Sequence, residues 1–139
     1  MAITQAMCSS FKQQILLGEH DLDTDTIKLA LYTSAATLSA ATTAYSTSDE
    51  VVGTGYTAGG NTLTGASVSL SGTTAYVDFS DTTWTTATIT ARGALIYNSS
   101  KSNKAIAVLD FGADKTSTAG SFTVQFPTND ASSAIVRIA

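Results

Sequence analysis

The middle of the sequence contains two nearly unbroken apolar runs, GALIYN at residues 93–98 and AIAVLDF at residues 105–111. Both are short, rich in Leu, Ile, Val and aromatic residues, and bounded by Asn, Ser or Gly. Such runs are typical of strands whose two faces are both covered. They predict the central strands of a β-sheet.

Segments on either side of these runs alternate between apolar and polar residues, as half-buried strands do. In residues 27–33, the side chains of Ile27, Leu29 and Leu31 share one face. Residues 63–70 and 75–79 flank a Ser-Gly-Thr turn and predict a hairpin. Further strands are predicted at residues 50–56, 84–89, 121–126 and 134–138. Roughly eight or nine short strands predict an all-β fold, an antiparallel β-sandwich of the jelly-roll or immunoglobulin-like type.

The start of the chain has a different pattern, because Ile3, Met7, Phe11 and Ile15 recur every four residues. This spacing predicts a helix over residues 4–17 that ends at Gly18. We therefore expect residues 1–139 to form a single β-sandwich domain in which residues 1–20 are an N-terminal helical segment. Residues 34–48 are rich in Ala, Thr and Ser and predict a long surface loop.

Composition narrows the classes of function. Only 13% of the residues are charged and the formal net charge is −4, which leaves no basic surface for nucleic acid. The longest apolar stretch, residues 15–17, is far shorter than the roughly 20 residues of a membrane-spanning helix. The N-terminus lacks the pattern of a secretory signal, so we expect synthesis in the cytoplasm. Ser and Thr make up about 30% of the chain, and short hydroxyl side chains suit either contact with other proteins or a plain solvated sheet.

Residues that support catalysis are scarce, since the chain has one His and one Cys. Cys8 lies beside the apolar stripe of the predicted helix, and His20 follows the end of that helix. Neither belongs to a group of residues that could act as nucleophile and base, or that could bind zinc. The sequence therefore predicts a protein that is not an enzyme and uses no cofactor.

Two groups of charged residues remain. Asp21, Asp23 and Asp25 have the spacing of the first half of a calcium loop, but Thr and Tyr occupy the later Gly and Glu positions, so the motif is incomplete. A weak cation site and a solvated acidic turn both stay open. Arg92 begins an apolar strand, and its planar guanidinium suits a carboxylate, for which Asp78, Asp81 and Asp110 are the candidates. The alternative for Arg92 is a solvated strand end.

Several strings in the chain resemble a family of small structural proteins of tailed bacteriophages. They are residues 11–14 with the leucines that follow, and residues 28–34, 53–56, 89–98 and 108–112. Within that group the chain is most similar to the capsid cement, or decoration, proteins. The resemblance implies a β-sandwich that binds the major capsid protein on the outside of the shell as a homodimer or homotrimer. It also implies a location on the virion surface.

The contacts with the shell are expected from the N-terminal segment and from the loop at residues 34–48, because termini and loops can become ordered on binding. The candidate partner-binding residues are Ile3, Met7, Phe11, Leu38 and Tyr45. Neighbouring copies are expected to meet through sheet faces or edges that carry Thr and Ser. A phage tail or fibre component and a carbohydrate-binding adhesive module remain the alternative functions.

Overall fold

The computed structural model describes residues 2–139, which form eight β-strands, one α-helix and one short 3-10 helix. The strands are β1 (Ala6–Met7), β2 (Ile27–Tyr32), β3 (Asn61–Thr62), β4 (Ser67–Ser71), β5 (Thr74–Asp78), β6 (Thr82–Asn98), β7 (Lys104–Val124) and β8 (Val136–Ile138). Helix α1 spans Ser9–Leu16, and the 3-10 helix spans Ser99–Lys101. None of the helices in residues 2–139 is long and apolar enough to cross a membrane.

The strands form two antiparallel sheets, which confirms the predicted all-β sandwich with a short N-terminal helix. The larger sheet has the strand order β1-β7-β6-β2-β3, and the smaller sheet has the order β4-β5-β8. One hydrophobic core joins them: Val77 and Val136 of the small sheet belong to the same buried cluster as Leu95 and Val108 of the large one. The two apolar runs lie in the middle of the large sheet, in β6 and β7, as their composition predicts.

The long strands β6 and β7 replace four shorter strands that the sequence predicts. Residues 84–89 and 93–98 belong to one strand, and so do residues 105–111 and 121–126. Gly93 looks like a strand break in the sequence, but the fold needs it for close packing. A Cβ there would lie 2.5 Å from the carbonyl oxygen of Leu109 and 2.9 Å from a methyl carbon of Ile3. Strands β6 and β7 stay paired along their length because the register of the pairing shifts at several bulges.

The helix predicted over residues 4–17 is wrong in its first half. Cys8 has an extended backbone (φ −66°, ψ 136°), and α1 begins only at Ser9. Before it, Ala6 pairs with Val108 and Met7 with Ala107, while Ile3 forms a bridge with Leu38. A spacing of four is also an even number, so Ile3 and Met7 share a face in extended chain as well. Pairing with β7 therefore decides between the two structures.

Three other segments test the pattern of predicted strands and loops. The predicted hairpin is confirmed as β4 and β5, which pair from Ser67 opposite Asp78 to Ser71 opposite Thr74. The predicted strand at residues 50–56 is a loop in which only Glu50 forms a bridge, with Tyr32 of β2. Residues 34–48 are irregular, as predicted.

Candidate interaction surface

The candidate partner-binding residues separate into two groups. Ile3, Phe11 and Leu38 are buried, with 7%, 0% and 7% of their surface exposed. Ile3 and Leu38 lie together, since Thr4 N–H donates to the Leu38 carbonyl over 2.9 Å. Their side chains hold the N-terminal segment to the loop at residues 34–48 and contribute to the core. This placement corrects the expectation that these three residues form a surface for a partner.

Met7 and Tyr45 are only partly buried, and Tyr45 belongs to a cluster around Glu50. The Tyr45 ring stacks on Tyr97 with 4.6 Å between centroids. Its hydroxyl donates to Glu50 Oε1 over 2.7 Å, and the Tyr56 hydroxyl donates to Glu50 Oε2 over 2.6 Å. The main-chain N–H of Gly59 donates to the same Oε2 over 2.8 Å. Glu50, which is 6% exposed, therefore has three donors for its carboxylate.

This Glu50 cluster fastens the loop between β2 and β3 to the large sheet. The Tyr97 hydroxyl donates to the Gly59 carbonyl over 2.7 Å, and Leu31 N–H donates to the Tyr56 hydroxyl over 2.9 Å. Burial, and next the hydrogen bond to Glu50, raises the pKa of Tyr56 well above its ordinary value, so the phenol is a stable donor. The sequence reasoning missed Glu50, because a carboxylate before two valines at a strand-like position resembles a solvated residue.

A second polar cluster lies around His20, which is 8% exposed and contacts the Phe11 ring with 4.9 Å between centroids. Its Nε2 is 2.8 Å from Gln14 Oε1, and its Nδ1 is 3.0 Å from Asn98 Nδ2. Because an amide oxygen accepts and an amide nitrogen donates, Nε2 carries the proton and Nδ1 accepts. The fully buried Asn98 also donates from Nδ2 to Asp25 Oδ2 over 2.8 Å. Burial lowers the pKa of His20, with the nearby Lys104 as the next cause.

The acidic segment at residues 21–25 is a hydrogen-bonded turn. Asp21 Oδ1 accepts from the main-chain N–H groups of Asp23 and Thr24, and Asp25 Oδ2 accepts from Asp21 N–H over 3.0 Å. Within residues 2–139 the structure holds no group of three or more His, Cys, Asp and Glu side chains placed to bind a metal ion. These contacts support the acidic-turn interpretation over the weak cation site.

Arg92 makes the ordered contact that the sequence predicts, and its partner is Asp110. Arg92 Nε is 3.0 Å from Asp110 Oδ1, and the same oxygen accepts from Gly112 N–H over 2.9 Å. The Gly112 bond, and next the Arg92 side chain, lowers the pKa of Asp110. The pair is about a third exposed and ties β6 to β7 at the edge of the core. Among the other candidates, Asp81 accepts from Phe126 N–H, and Asp78 Oδ1 is buried without a hydrogen-bond partner.

Cys8 is completely buried, and burial raises the pKa of its thiol to about 11. A thiol that stays protonated at neutral pH is a poor nucleophile. The polar clusters thus have internal partners for their side chains, and they fasten loops to the large sheet.

An apolar groove lies between α1 and the small sheet. It has a volume of about 610 Å³. One wall comes from Phe11, Ile15 and the turn at residues 18–23, and the other from the apolar face of β4, β5 and β8. Val68 and Ile138 on that second wall are 56% and 48% exposed. We refer to this feature as the apolar groove.

The small sheet also exposes the strand β4. This strand pairs with β5 alone, so the main-chain groups on its other side have no strand partner in the described chain. Leu70 of β4 is 72% exposed. Edges of this type are templates for strand pairing.

A third exposed surface is the outer face of β6 and β7, where threonines recur on both strands. Thr83 and Thr123 are cross-strand neighbours with hydroxyl oxygens 2.9 Å apart, and Thr90 and Thr116 are a second such pair at 3.2 Å. This threonine face is one part of the hydroxyl-rich surface expected from the composition. Bulges interrupt it, because the register shifts between Trp84 and Ala87 and again before Ile89.

Comparisons of the chain with protein-family models, with curated proteins and with solved structures found no match. The phage cement family therefore stays a prediction from the sequence, and the surfaces described above are the basis for a functional proposal.

Proposed function

We propose that this chain is a non-enzymatic structural protein of a tailed-bacteriophage particle, which binds the outer surface of the capsid as a cement protein. Its partners are then the major capsid protein and further copies of itself. The observation that carries the proposal is the open apolar groove beside α1, with Val68 and Ile138 exposed on its wall. An exposed apolar patch of this kind is typical of a protein-binding surface.

The polar residues support binding over catalysis. The carboxylate of Glu50 is surrounded by donors from its own chain, and His20 is oriented by Gln14 and Asn98. Glu50 is 6% exposed and does not line the apolar groove. His20 does line the groove, but it is only 8% exposed and both of its ring nitrogens have hydrogen-bond partners. A side chain with every polar atom engaged stabilises a fold and has no free atom for a substrate.

Aromatic side chains give the adhesive alternative little support. Sugar-binding surfaces use exposed rings, whereas every Tyr, Trp and Phe of residues 2–139 is buried or half-buried. Trp84 packs against Tyr56 and Phe122, with centroid distances of 5.8 and 6.2 Å. These rings belong to the core between the sheets.

The cement function follows from mass action. A protein that binds the assembled shell more tightly than free capsid subunits stabilises the assembled state. Each contact is weak alone, but many copies on a symmetric lattice act together. The threonine face adds a neutral surface of short side chains that lose little entropy when they are covered.

Purified particles test this proposal. Particles made without the gene are mixed with the wild-type chain, imaged, and heated beside untreated particles. We expect copies on the capsid surface and release of DNA at a higher temperature. Copies found only on the tail, or an unchanged release temperature, would contradict the cement function, and the tail location would support the tail alternative.

Two variants show whether the apolar groove makes the contact. Ile138→Lys places a charge on the groove wall, while Val52→Lys changes the most exposed large apolar residue, which lies outside the groove. We expect Ile138→Lys to lose at least about tenfold in affinity for particles, which corresponds to about 1.4 kcal/mol. Val52→Lys is expected to bind like the wild type. Equal binding by all three chains would exclude the groove as the contact.

A further inference from the structure

Strand β4 is the least protected strand edge among residues 2–139. The other edge strands of the sheets are shorter: β1 and β3 have two residues each, and β8 has three with Arg137 at its centre. The outer edge of β7 is long, but it carries Asp114 and Lys115 and bends at the positive-φ residue Ala119. Charges, bulges and shortness are the usual devices against edge pairing, and β4 has none of them.

The residue order of β4 fits a second copy of itself. The strand reads Ser-Val-Ser-Leu-Ser from residue 67 to 71. If two such strands run antiparallel about Ser69, Val68 of one copy faces Leu70 of the other, and each serine faces a serine. A two-fold interface of this kind needs a self-complementary surface. No charged residue lies in β4 to repel its copy.

The exposed side chains provide a reason for the pairing. Val68 and Leu70 are 56% and 72% exposed and lie on one face of the small sheet, with Ala75 and Ile138 in line with Leu70. In a paired sheet these faces join, so each Val68 covers part of a Leu70. The main-chain groups on the open side of β4 gain hydrogen-bond partners at the same time.

We infer that two copies of this chain associate through antiparallel pairing of their β4 strands, which makes one six-stranded sheet with the order β8-β5-β4-β4-β5-β8. This inference deepens the proposed function, because it names the two-fold dimer and its interface where the resemblance leaves dimer and trimer open. Its tests use the purified chain alone. Failure of the dimer is therefore distinguishable from failure of capsid binding.

The first test measures mass by light scattering over a range of concentrations. We expect the wild-type mass to rise from 14.3 kDa toward twice that value. Leu70→Lys places a lysine beside the partner strand and is expected to remain a monomer. The control Leu17→Lys changes a leucine of similar exposure, 66% against 72%, that lies after the helix, and it is expected to dimerise like the wild type. Circular dichroism verifies that each variant is folded.

The second test fixes the register with a disulfide. In the inferred pair, Ser69 faces Ser69, and directly opposite residues of antiparallel strands have Cα atoms about 4.5–5.5 Å apart, within disulfide range. Ser69→Cys is expected to form covalent dimers under mild oxidation. Ser67→Cys, whose counterpart is Ser71, is expected to form several-fold fewer. The natural Cys8 is buried and does not compete.

A wild-type chain that stays monomeric at several hundred micromolar would overturn the inference. So would dimers that Leu70→Lys does not weaken, or equal cross-linking from the cysteines at positions 67 and 69. A trimer in solution would equally contradict it, because a two-fold pair closes on itself.

Discussion

Asn98 and Glu50 are buried polar side chains with several hydrogen-bond partners each: those of Asn98 include residues far away in the chain, whereas those of Glu50 lie within its own loop. Asn98 Nδ2 contacts His20 and Asp25, while Asn98 Oδ1 accepts from Ser100 N–H over 3.1 Å. An unpaired buried polar group costs about 1–3 kcal/mol, so such residues specify one arrangement of the loops around them. Asn98 also determines which nitrogen of the His20 ring carries the proton, because its amide donates to Nδ1.

Protonation of His20 conflicts with its surroundings. A proton on Nδ1 would point at the donor nitrogen of Asn98, and that amide is held in place by Asp25 on one side and Ser100 on the other. Lys104 also opposes a positive ring, while Asp25 and Glu19 favour it. Burial is the largest cause, and the pKa of His20 lies below its ordinary value of 6.5.

The stability of the protein is therefore expected to fall as the pH drops from 7 to 5. Well above pH 6.5 the ring is neutral in both the folded and the unfolded chain, and its contribution is complete. Below that pH the unfolded chain takes up a proton that the folded chain resists, which favours unfolding. His20→Gln retains a polar side chain without the titration, so its denaturation midpoint should change less over this range. If the denaturation midpoints of the wild type and of His20→Gln fell equally with pH, His20 would not be the cause of the pH dependence.

At the scale of elements, the loop between β2 and β3 is seated on the large sheet by close main-chain contact. Gly60 has φ +76°, and a Cβ there would lie 1.8 Å from the carbonyl oxygen of Leu29. Next to it, Gly59 connects Glu50 to Tyr97. The loop therefore lies against β2 with no room for a side chain at residue 60.

Gly60→Ala is expected to destabilise the fold by about 3 kcal/mol more than Gly72→Ala. Both residues have positive φ, so both variants carry the strain of an L-residue in that region, about 1–2 kcal/mol. Gly72 lies in the β4–β5 turn with nothing within 4 Å of the added Cβ, which makes it the control. Urea denaturation measures the difference. An equal decrease in the free energy of unfolding for both variants would mean that the loop can move away from β2.

The elements that the sequence predicts well are those fixed by local pattern. Strand β2 and the β4–β5 hairpin have alternation and turn residues within a dozen positions, and both are found where predicted. The first half of the predicted helix failed because its four-residue period also fits a strand, and β7, about 100 residues away, supplies the partner. The continuity of β6 through Gly93 depends on the close approach of Leu109 and Ile3, which no local window contains.

In the candidate site, too, some contacts follow from the sequence and others depend on how the whole chain folds. Arg92 with Asp110 was predictable because a guanidinium at the head of an apolar strand needs an anion. The contact between His20 and Asn98 joins residues 78 positions apart, and the Glu50 cluster depends on how a loop folds over β2. Phe11 and Leu38 were expected to contact a partner. The sequence shows that they are apolar, but it does not show whether a partner or the same chain covers them. Here the same chain covers them.

At the scale of the whole molecule, the apolar groove and the open edge of β4 belong to the same small sheet and share Val68, but Ile138 belongs to the groove alone and Leu70 to the edge alone. Ile138 and Val68 line the groove, whereas Leu70 lies outside it. A dimer formed through β4 would therefore carry two grooves, one in each copy. Two linked binding sites bind a lattice more tightly than one, because the second contact becomes intramolecular.

This arrangement predicts that Leu70→Lys binds capsids more weakly although its groove is intact. If the dimer engages the lattice at both grooves, its avidity exceeds single-site affinity by a factor of about 100 or more. We expect the monomeric variant to need a correspondingly higher concentration for half-occupancy of particles, as counted by quantitative mass spectrometry. Leu17→Lys, which leaves β4 unchanged, should match the wild type. Equal half-occupancy for Leu70→Lys and the wild type would mean that each copy binds the shell independently, even if the dimer exists in solution.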